Sequence, residues 1–128
     1  MAVWAMAIAL AAFGSSSAWA AADSVKISGP KSVKRAHRLT VTVSASPSAA
    51  TRLAVYDAPG GCAHIAESEL GRSGVVQVTN RAVSHAVTFK LKLPAASPGT
   101  HHACAYLFHR QYDNLVTDAR ASFRYVAK

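Results

Sequence analysis

The sequence predicts an all-β protein, an antiparallel β-sandwich of about seven strands. Apolar and polar residues alternate with a period of two through most of the chain, which is the pattern of half-buried strands. Gly, Pro and Ser interrupt this alternation at short intervals, as turns between neighbouring strands do. With 51% apolar residues among 128, the chain has enough core-forming material for one ordered domain.

Seven segments show the alternation. The fifth is the longest, and its outward positions carry Lys90 and Lys92. The sixth has small or apolar residues on both faces, whereas the seventh alternates apolar residues with Arg120, Ser122 and Arg124. In chain order, the alternating residues that define the strands are Val25 and Ile27; Leu39, Val41 and Val43; Leu53, Val55 and Tyr56; Val76 and Val78; Val83, His85, Val87, Phe89, Leu91 and Leu93; Cys104, Tyr106 and Phe108; and Ala119, Ala121, Phe123 and Tyr125.

Turn-forming residues separate these strands. Gly29-Pro30 ends the first strand, residues 46–48 the second, and residues 59–61 the third. Asn80-Arg81 is predicted to be the turn after the fourth, and residues 94–99 form a loop after the fifth.

Only residues 63–70 favour a helix. They contain good helix formers and precede Gly71, but they suffice for only about two turns. Their two carboxylates, Glu67 and Glu69, are expected on the surface. Alternation predicts that Tyr106 and Tyr125 point inward.

The amino terminus resembles a secretory signal peptide. Residues 1–13 are apolar, residues 14–17 break the run, and Ala18-Trp19-Ala20 fits the small-x-small cleavage pattern. The run is too short to span a bilayer, although no Lys or Arg precedes it. We expect residues 1–20 to be a signal peptide and residues 21–128 to be a single β-sandwich domain, secreted, periplasmic or associated with the cell envelope. The alternative is an uncleaved membrane anchor. No transmembrane helix is expected after cleavage.

Two cysteines, Cys62 and Cys104, lie in the predicted domain. An exported protein meets oxidising conditions, so this even pair is expected to form a disulfide. The alternative is two buried free thiols. The bridge would connect the loop after the third strand to the sixth strand, and a bridged cysteine cannot act as a nucleophile.

Pro98-Gly99-Thr100 leads into a strand that continues through Cys104 to Leu107. Together with the seven-strand pattern, this segment resembles immunoglobulin-like and fibronectin type III-like sandwiches, including small secreted bacterial proteins of unassigned role. The resemblance implies an immunoglobulin-like fold. The chain departs from antibody domains because residues 21–128 contain no Trp and because His102 stands where their tyrosine corner would be.

Charge is the strongest functional signal. The chain has 14 Lys+Arg against 6 Asp+Glu, a formal net charge of +8 and a pI near 10.0. Such a surface attracts polyanions. Outside a cell these include wall polymers, acidic polysaccharides and anionic lipid headgroups; dedicated nucleic-acid binding is not expected, since no recognition motif is present. The predicted anion-binding residues are Lys31, Lys34, Arg35, Arg38, Arg120 and Arg124.

No catalytic pattern stands out. Gly71-Arg72-Ser73-Gly74 lacks the spacing of a nucleophile elbow, and the six carboxylates do not pair as a glycosidase requires. His101 and His102 are adjacent in a strand and so point to opposite faces. The sequence therefore predicts no enzyme, no metal site and no cofactor. A small hydrolase or a metal-binding protein is the least favoured alternative.

Arg110 and Tyr112 lie in a predicted turn between the last two strands. Arg and Tyr are enriched at binding hot spots, so this turn is a candidate partner-binding loop. The favoured function is a secreted, non-catalytic binding module that engages an anionic extracellular or cell-envelope partner through basic loops. The alternative is a structural or protein–protein interaction module whose charge only confers solubility. The sequence makes no prediction of oligomeric state.

Overall fold

The computed structural model describes residues 23–69 and 71–128. The predicted signal peptide, residues 1–20, lies outside the described residues. No helix within the described ranges is both long enough and apolar enough to cross a membrane. The strands are β1 Ser24–Ser28, β2 Ser32–Val33, β3 Thr40–Ser46, β4 Thr51–Ala58, β5 Val76–Val83, β6 Val87–Lys92, β7 Gly99–Gln111 and β8 Asn114–Ala127.

The strands form two sheets, as the alternation predicts. One has three strands in the order β1-β3-β6, and the other has five in the order β2-β8-β7-β4-β5. Every pairing is antiparallel except that of β2 with β8. The longest is the β7–β8 hairpin, closed by a two-residue loop and interrupted by a register shift between Leu107 and Phe108. The all-β sandwich prediction is confirmed.

The main core lies between the two sheets. Val41 and Val43 of β3 contribute fully buried side chains from the smaller sheet, and Leu53, Val55 and Leu107 do so from the larger. On β3 these positions alternate with half-buried ones, so that one face of the strand is removed from water, whereas β4 and β7 are buried on both faces. Burial of these β-branched and Leu side chains is the main force that holds the sheets together.

Several element predictions are wrong in detail. β5 continues through Asn80 and Arg81, because both pair with β4. The fifth predicted strand begins only at Val87, since Val83 ends β5. In the segment predicted to be helical, the described residues 63–69 contain a single 3-10 turn at Ala66–Glu69 rather than two helical turns. The two-residue strand β2 was not predicted, because Ser32 and Val33 are too few to show a period.

A second, smaller core lies on the outer face of the five-stranded sheet. Residues 59–69 and 71–75, which we call the covering loop, lie over this face, where Tyr56, Tyr106 and Phe108 are buried. The Cys62–Cys104 disulfide predicted from the sequence is present and attaches the loop to β7. The loop ends in a turn at Gly74, whose φ of 78° favours glycine. Tyr106 therefore points away from the main core, contrary to prediction, and it is buried because the covering loop lies over it.

The β7–β8 hairpin turns at Tyr112, whose φ is 59° and whose side chain is 89% exposed. Residues with a Cβ are strained in this region, whereas glycine is not. Tyr112→Gly is expected to raise the free energy of unfolding by about 0.5–1 kcal/mol. Urea denaturation would measure the change. Tyr112→Ala keeps the Cβ and should bring no such gain; an equal gain for both variants would contradict the strain argument.

Candidate functional site

The outward face of β8 places basic side chains in a row. Arg120, Ser122 and Arg124 alternate with the residues that pack into the main core, and all three are exposed. On the neighbouring strand β7, Tyr106 lies opposite Arg120 and His102 opposite Arg124. Residues two apart on a strand are about 6.6 Å apart, so the Cα atoms of Arg120 and Arg124 lie about 13 Å apart, with both side chains on the same face.

Two adjoining clefts follow this row. The first, about 450 Å³, lies against the disulfide and is lined by Cys62, His102, Tyr106 and Arg120 among others. The second, about 400 Å³, is lined by Lys31, Arg124 and Val126 among others, and Ser122 lines both. Among the described residues, no Asp or Glu lines either cleft. We call the surface formed by Lys31, His102, Arg120, Ser122 and Arg124 the basic groove.

The parallel pairing of β2 with β8 brings further charge to this edge. Val126 N donates a hydrogen bond to the Lys31 carbonyl (2.9 Å), and Arg35 N donates to the Lys128 carbonyl (2.8 Å). Lys34 and Arg35 therefore follow β2 at the edge of the same sheet, and both are exposed. Of the six predicted anion-binding residues, Lys31, Arg120 and Arg124 line the groove, whereas Lys34 and Arg35 follow β2 at the same edge of the sheet.

Arg38 does not join them. Its Nε donates to the Leu93 carbonyl (3.0 Å) and its Nη2 to the Lys92 carbonyl (3.2 Å). These carbonyls lie at the end of β6, in the other sheet. The Arg38 guanidinium is therefore engaged in holding the loop before β3 against that strand.

The predicted partner-binding residues, Arg110 and Tyr112, lie at the far end of the β7–β8 hairpin. Arg110 lines a separate cleft of about 320 Å³ together with Asp23, His109 and Asp118. His109 Nδ1 is 2.8 Å from Asp118 Oδ2, which makes this end of the sheet mixed in charge. The predicted anion-binding residues of β8 and the predicted partner-binding residues therefore lie in two distinct places, the first basic and the second mixed in charge.

Glu69 is the most unexpected residue of the region. Its side chain is fully buried beneath the covering loop, contrary to the surface position predicted. Tyr106 Oη donates to its Oε2 (2.5 Å), as does Ala63 N (2.9 Å), and Arg72 Nη1 pairs with its Oε1 at 2.8 Å. A buried carboxylate is tolerated when it is paired and hydrogen-bonded in this way. The network fixes the covering loop to the sheet independently of the disulfide.

A second buried carboxylate lies inside the sandwich. Tyr125 Oη donates to Asp57 Oδ1 (2.8 Å), and the side chains of both residues are less than 10% exposed. His101 stacks on Tyr125, with ring centroids 5.2 Å apart, and its Nδ1 lies 3.5 Å from Asp57 Oδ2. His101 and His102 thus point to opposite faces, as predicted.

The pKa values of three tyrosines are raised above their usual value of 10.0. Burial is the main cause for all three. For Tyr106 and Tyr125, hydrogen bonding to Glu69 and Asp57 respectively, and the negative charge of those carboxylates, raise the pKa further. For Tyr56 the charge of Glu69 adds to burial. Each phenol is therefore held in its neutral form.

Three groove or loop residues were not among the predicted site residues. His102 and Ser122 line the groove only because of the pairing between β7 and β8, which the pattern of either strand alone does not contain. Glu69 is one of two acidic residues that follow Cys62 closely, and its burial depends on the covering loop. The Nδ1 atom of His102 is buried and has no hydrogen-bond partner within the described part of the chain.

Comparisons with known proteins identify the fold. No protein-family model matches the chain, and no curated protein is significantly similar to it. Among solved structures, it resembles the crystal structure of a CARDB domain from Pyrococcus furiosus in complex with di-metal ions, with 15% identity, a TM-score of 0.56, and coverage of 82% of this chain and 91% of that one. The solution structure of that domain gives 14% identity, a TM-score of 0.54, and coverage of 82% and 93%.

The prediction that the chain is not an enzyme is corrected by a third comparison. Superoxide reductase (neelaredoxin) from Ignicoccus hospitalis matches with 22% identity, a TM-score of 0.47, and coverage of 90% of this chain and 89% of that one. The prediction assumed that so small a sandwich offers little cleft, yet clefts of about 320 to 450 Å³ are present. The likeness assigns no activity to this chain.

Taken with the sheet order, the CARDB comparisons show that the chain is an all-β sandwich of the immunoglobulin-like class.

Proposed function

We propose that this chain is an exported binding module that engages an anionic extracellular or cell-envelope polymer through the basic groove. The observation that carries the proposal is the convergence of Lys31, Arg120 and Arg124 on one groove lined by no described carboxylate. Export is supported by the disulfide, since disulfides persist mainly in oxidising compartments. Residues 1–20 would be the signal peptide, and residues 21–128 the exported domain.

The chemistry of the groove suits repeated anionic groups. Arg presents a planar fork of donors that matches a phosphate, sulfate or carboxylate group. Arg120 and Arg124 lie about 13 Å apart along the strand, with the Ser122 hydroxyl between them as a further donor. A flexible polymer with regularly spaced charges can contact both guanidinium groups at once.

Polyanion binding can be measured with labelled inorganic polyphosphate by fluorescence anisotropy. Arg120→Gln with Arg124→Gln is expected to weaken binding at least about tenfold, since charge-assisted hydrogen bonds contribute roughly 1.5–3 kcal/mol each. If three cations contact the polymer, raising salt from about 50 to about 200 mM should weaken wild-type binding by roughly tenfold or more.

The matched control is Lys90→Gln with Lys92→Gln. It removes the same charge from exposed positions of β6, in the other sheet. This variant should bind within about twofold of wild type once non-specific attraction is screened by salt. Equal losses for the two double variants would show that net charge alone attracts the polymer, and the groove proposal would fail.

The exposed hairpin end supports a second candidate, a protein–protein interaction module. Tyr112 holds a strained backbone conformation while its side chain is almost fully exposed, which stability alone does not favour. Arg110 lies beside it on β7. A pull-down from a native envelope fraction that is lost on Tyr112→Ala but insensitive to salt would favour this candidate over the groove.

A further inference from the structure

Three potential metal ligands meet beneath the covering loop. The Sγ atoms of Cys62 and Cys104 and a carboxylate oxygen of Glu69 all lie within 4.8 Å of one another. Cys104 and Glu69 are fully buried, and Cys62 is half-buried. In the bridged state the sulfurs are bonded to each other at 1.98 Å and cannot act as thiolate ligands.

We infer that reduction of the Cys62–Cys104 bridge converts this cluster into a site for a soft divalent cation such as Zn²⁺ or Cd²⁺. Thiolates are the preferred ligands of such ions, and carboxylate oxygens complete many of their sites. With metal–sulfur bonds of about 2.3 Å, tetrahedral geometry places two thiolates about 3.8 Å apart. Reduction frees the sulfurs to separate, and the Glu69 oxygen is already within 4.8 Å of both.

The metal site forms in two steps, reduction of the disulfide and binding of the cation. A dithiol reductant delivers two electrons and two protons to the S–S bond, giving two protein thiols, and is itself oxidised to a disulfide. A divalent cation then replaces the two thiol protons, which are released to water. No bond of Glu69 breaks; its carboxylate donates a lone pair. The bridge and the metal therefore exclude each other.

Three hydrogen-bond donors hold the Glu69 carboxylate in one orientation. Ala63 N, Tyr106 Oη and Arg72 Nη1 all donate to it, which fixes the orientation of the carboxylate. Such partners behind a ligand are usual in metal sites, and an ionised carboxylate has lone pairs for a further partner. Two thiolates and a carboxylate with a divalent ion carry one net negative charge, which the Arg72 guanidinium would offset.

An access route is also present. The cleft of about 450 Å³ reaches Cys62 from solvent and is lined by Gly61 and His102 as well. A metal held by three protein ligands keeps a fourth tetrahedral position for water or an exogenous ligand. The cleft would lead to that position. This inference is independent of polymer binding by the groove.

The test is a titration of the phosphine-reduced protein with Cd²⁺, followed by the ultraviolet charge-transfer absorption of cadmium–thiolate bonds. Reduced wild type is expected to bind one equivalent, and oxidised wild type none. Glu69→Gln should weaken binding about tenfold or more. Asp113→Asn, which alters a carboxylate in the hairpin loop, is the matched control and should bind like wild type.

Thermal unfolding of the reduced protein separates a native site from binding to unfolded chain. One equivalent of Cd²⁺ should raise the Tm of reduced wild type, because a ligand that binds the folded state stabilises it. The gain should be absent in Cys62→Ser with Cys104→Ser. An unchanged or lowered Tm, or equal cadmium affinity in Glu69→Gln and wild type, would overturn the inference.

Discussion

The folded protein is expected to lose stability steeply above pH 10. Tyr56, Tyr106 and Tyr125 have pKa values raised above 10.0 in the folded state, so the folded protein keeps three protons that the unfolded chain releases. Their stabilising contribution is complete below pH 10 and is lost as pH rises, because the unfolded state is then favoured by proton release. Between its unfolded and folded pKa values, each tyrosine contributes a slope of up to about 1.4 kcal/mol per pH unit. Tyr106 and Tyr125, whose pKa values are raised most, contribute over the widest pH range.

Urea unfolding between pH 8 and pH 12 measures this slope. The free energy of unfolding should fall continuously as pH rises above 10. Tyr125→Phe should make this fall shallower by up to about 1.4 kcal/mol per pH unit, because phenylalanine has no proton to release. Tyr112→Phe is the matched control, since it removes an exposed phenol instead of a buried one. A wild-type free energy that stays flat to pH 12 would contradict the burial of these phenols.

Loss of the disulfide is expected to have the other large effect. The bridge closes 42 residues, and the loop-entropy relation gives about 4 kcal/mol for a closure of that length. Cys62→Ala with Cys104→Ala should therefore lower the free energy of unfolding by about 2–4 kcal/mol, since measured bridges often give less than the relation predicts. Urea denaturation of the variant beside oxidised wild type is the measurement.

The effect of losing the disulfide should be largely confined to the covering loop. Hydrogen exchange is expected to accelerate in residues 59–75 far more than in β3, because β3 contributes to the core between the sheets and not to the covering loop. Reduced wild type should resemble the alanine variant. Uniform acceleration across both sheets, or a stability change below about 1 kcal/mol, would show that the bridge does not act as a tether of the loop.

Strand positions were predictable where a period of two extends over several residues. Val41 and Val43 of β3, and Phe123 and Tyr125 of β8, show it, and the structure places all four in or against the main core. The end of β5 was not predictable, because Asn80-Arg81 is typical of turns, while Arg52 of β4 satisfies Asn80 through two hydrogen bonds. Tertiary pairing overrides the local preference there.

The groove was predictable in composition but not in arrangement. A two-residue loop at the hairpin end would by itself pair His102 with Phe123, which would put a core residue opposite a groove residue. The register shift between Leu107 and Phe108 pairs His102 with Arg124 instead. A β-bulge of this kind leaves no reliable trace in the alternation of either strand. The convergence of Lys31 with Arg124 depends equally on β2, which is too short to recognise.

The covering loop has an evolutionary consequence. Its cystine and the Glu69 network contact the outer face of one sheet, whereas the core between the sheets is filled by other residues. Selection therefore acts differently on two parts of the sequence. In the strands it maintains side-chain volume and the alternation of apolar and polar residues, whereas in the loop it maintains one disulfide bond. A lineage can lose, lengthen or replace the loop while it keeps the sandwich. Divergence among descendants of this fold should accordingly concentrate in the covering loop.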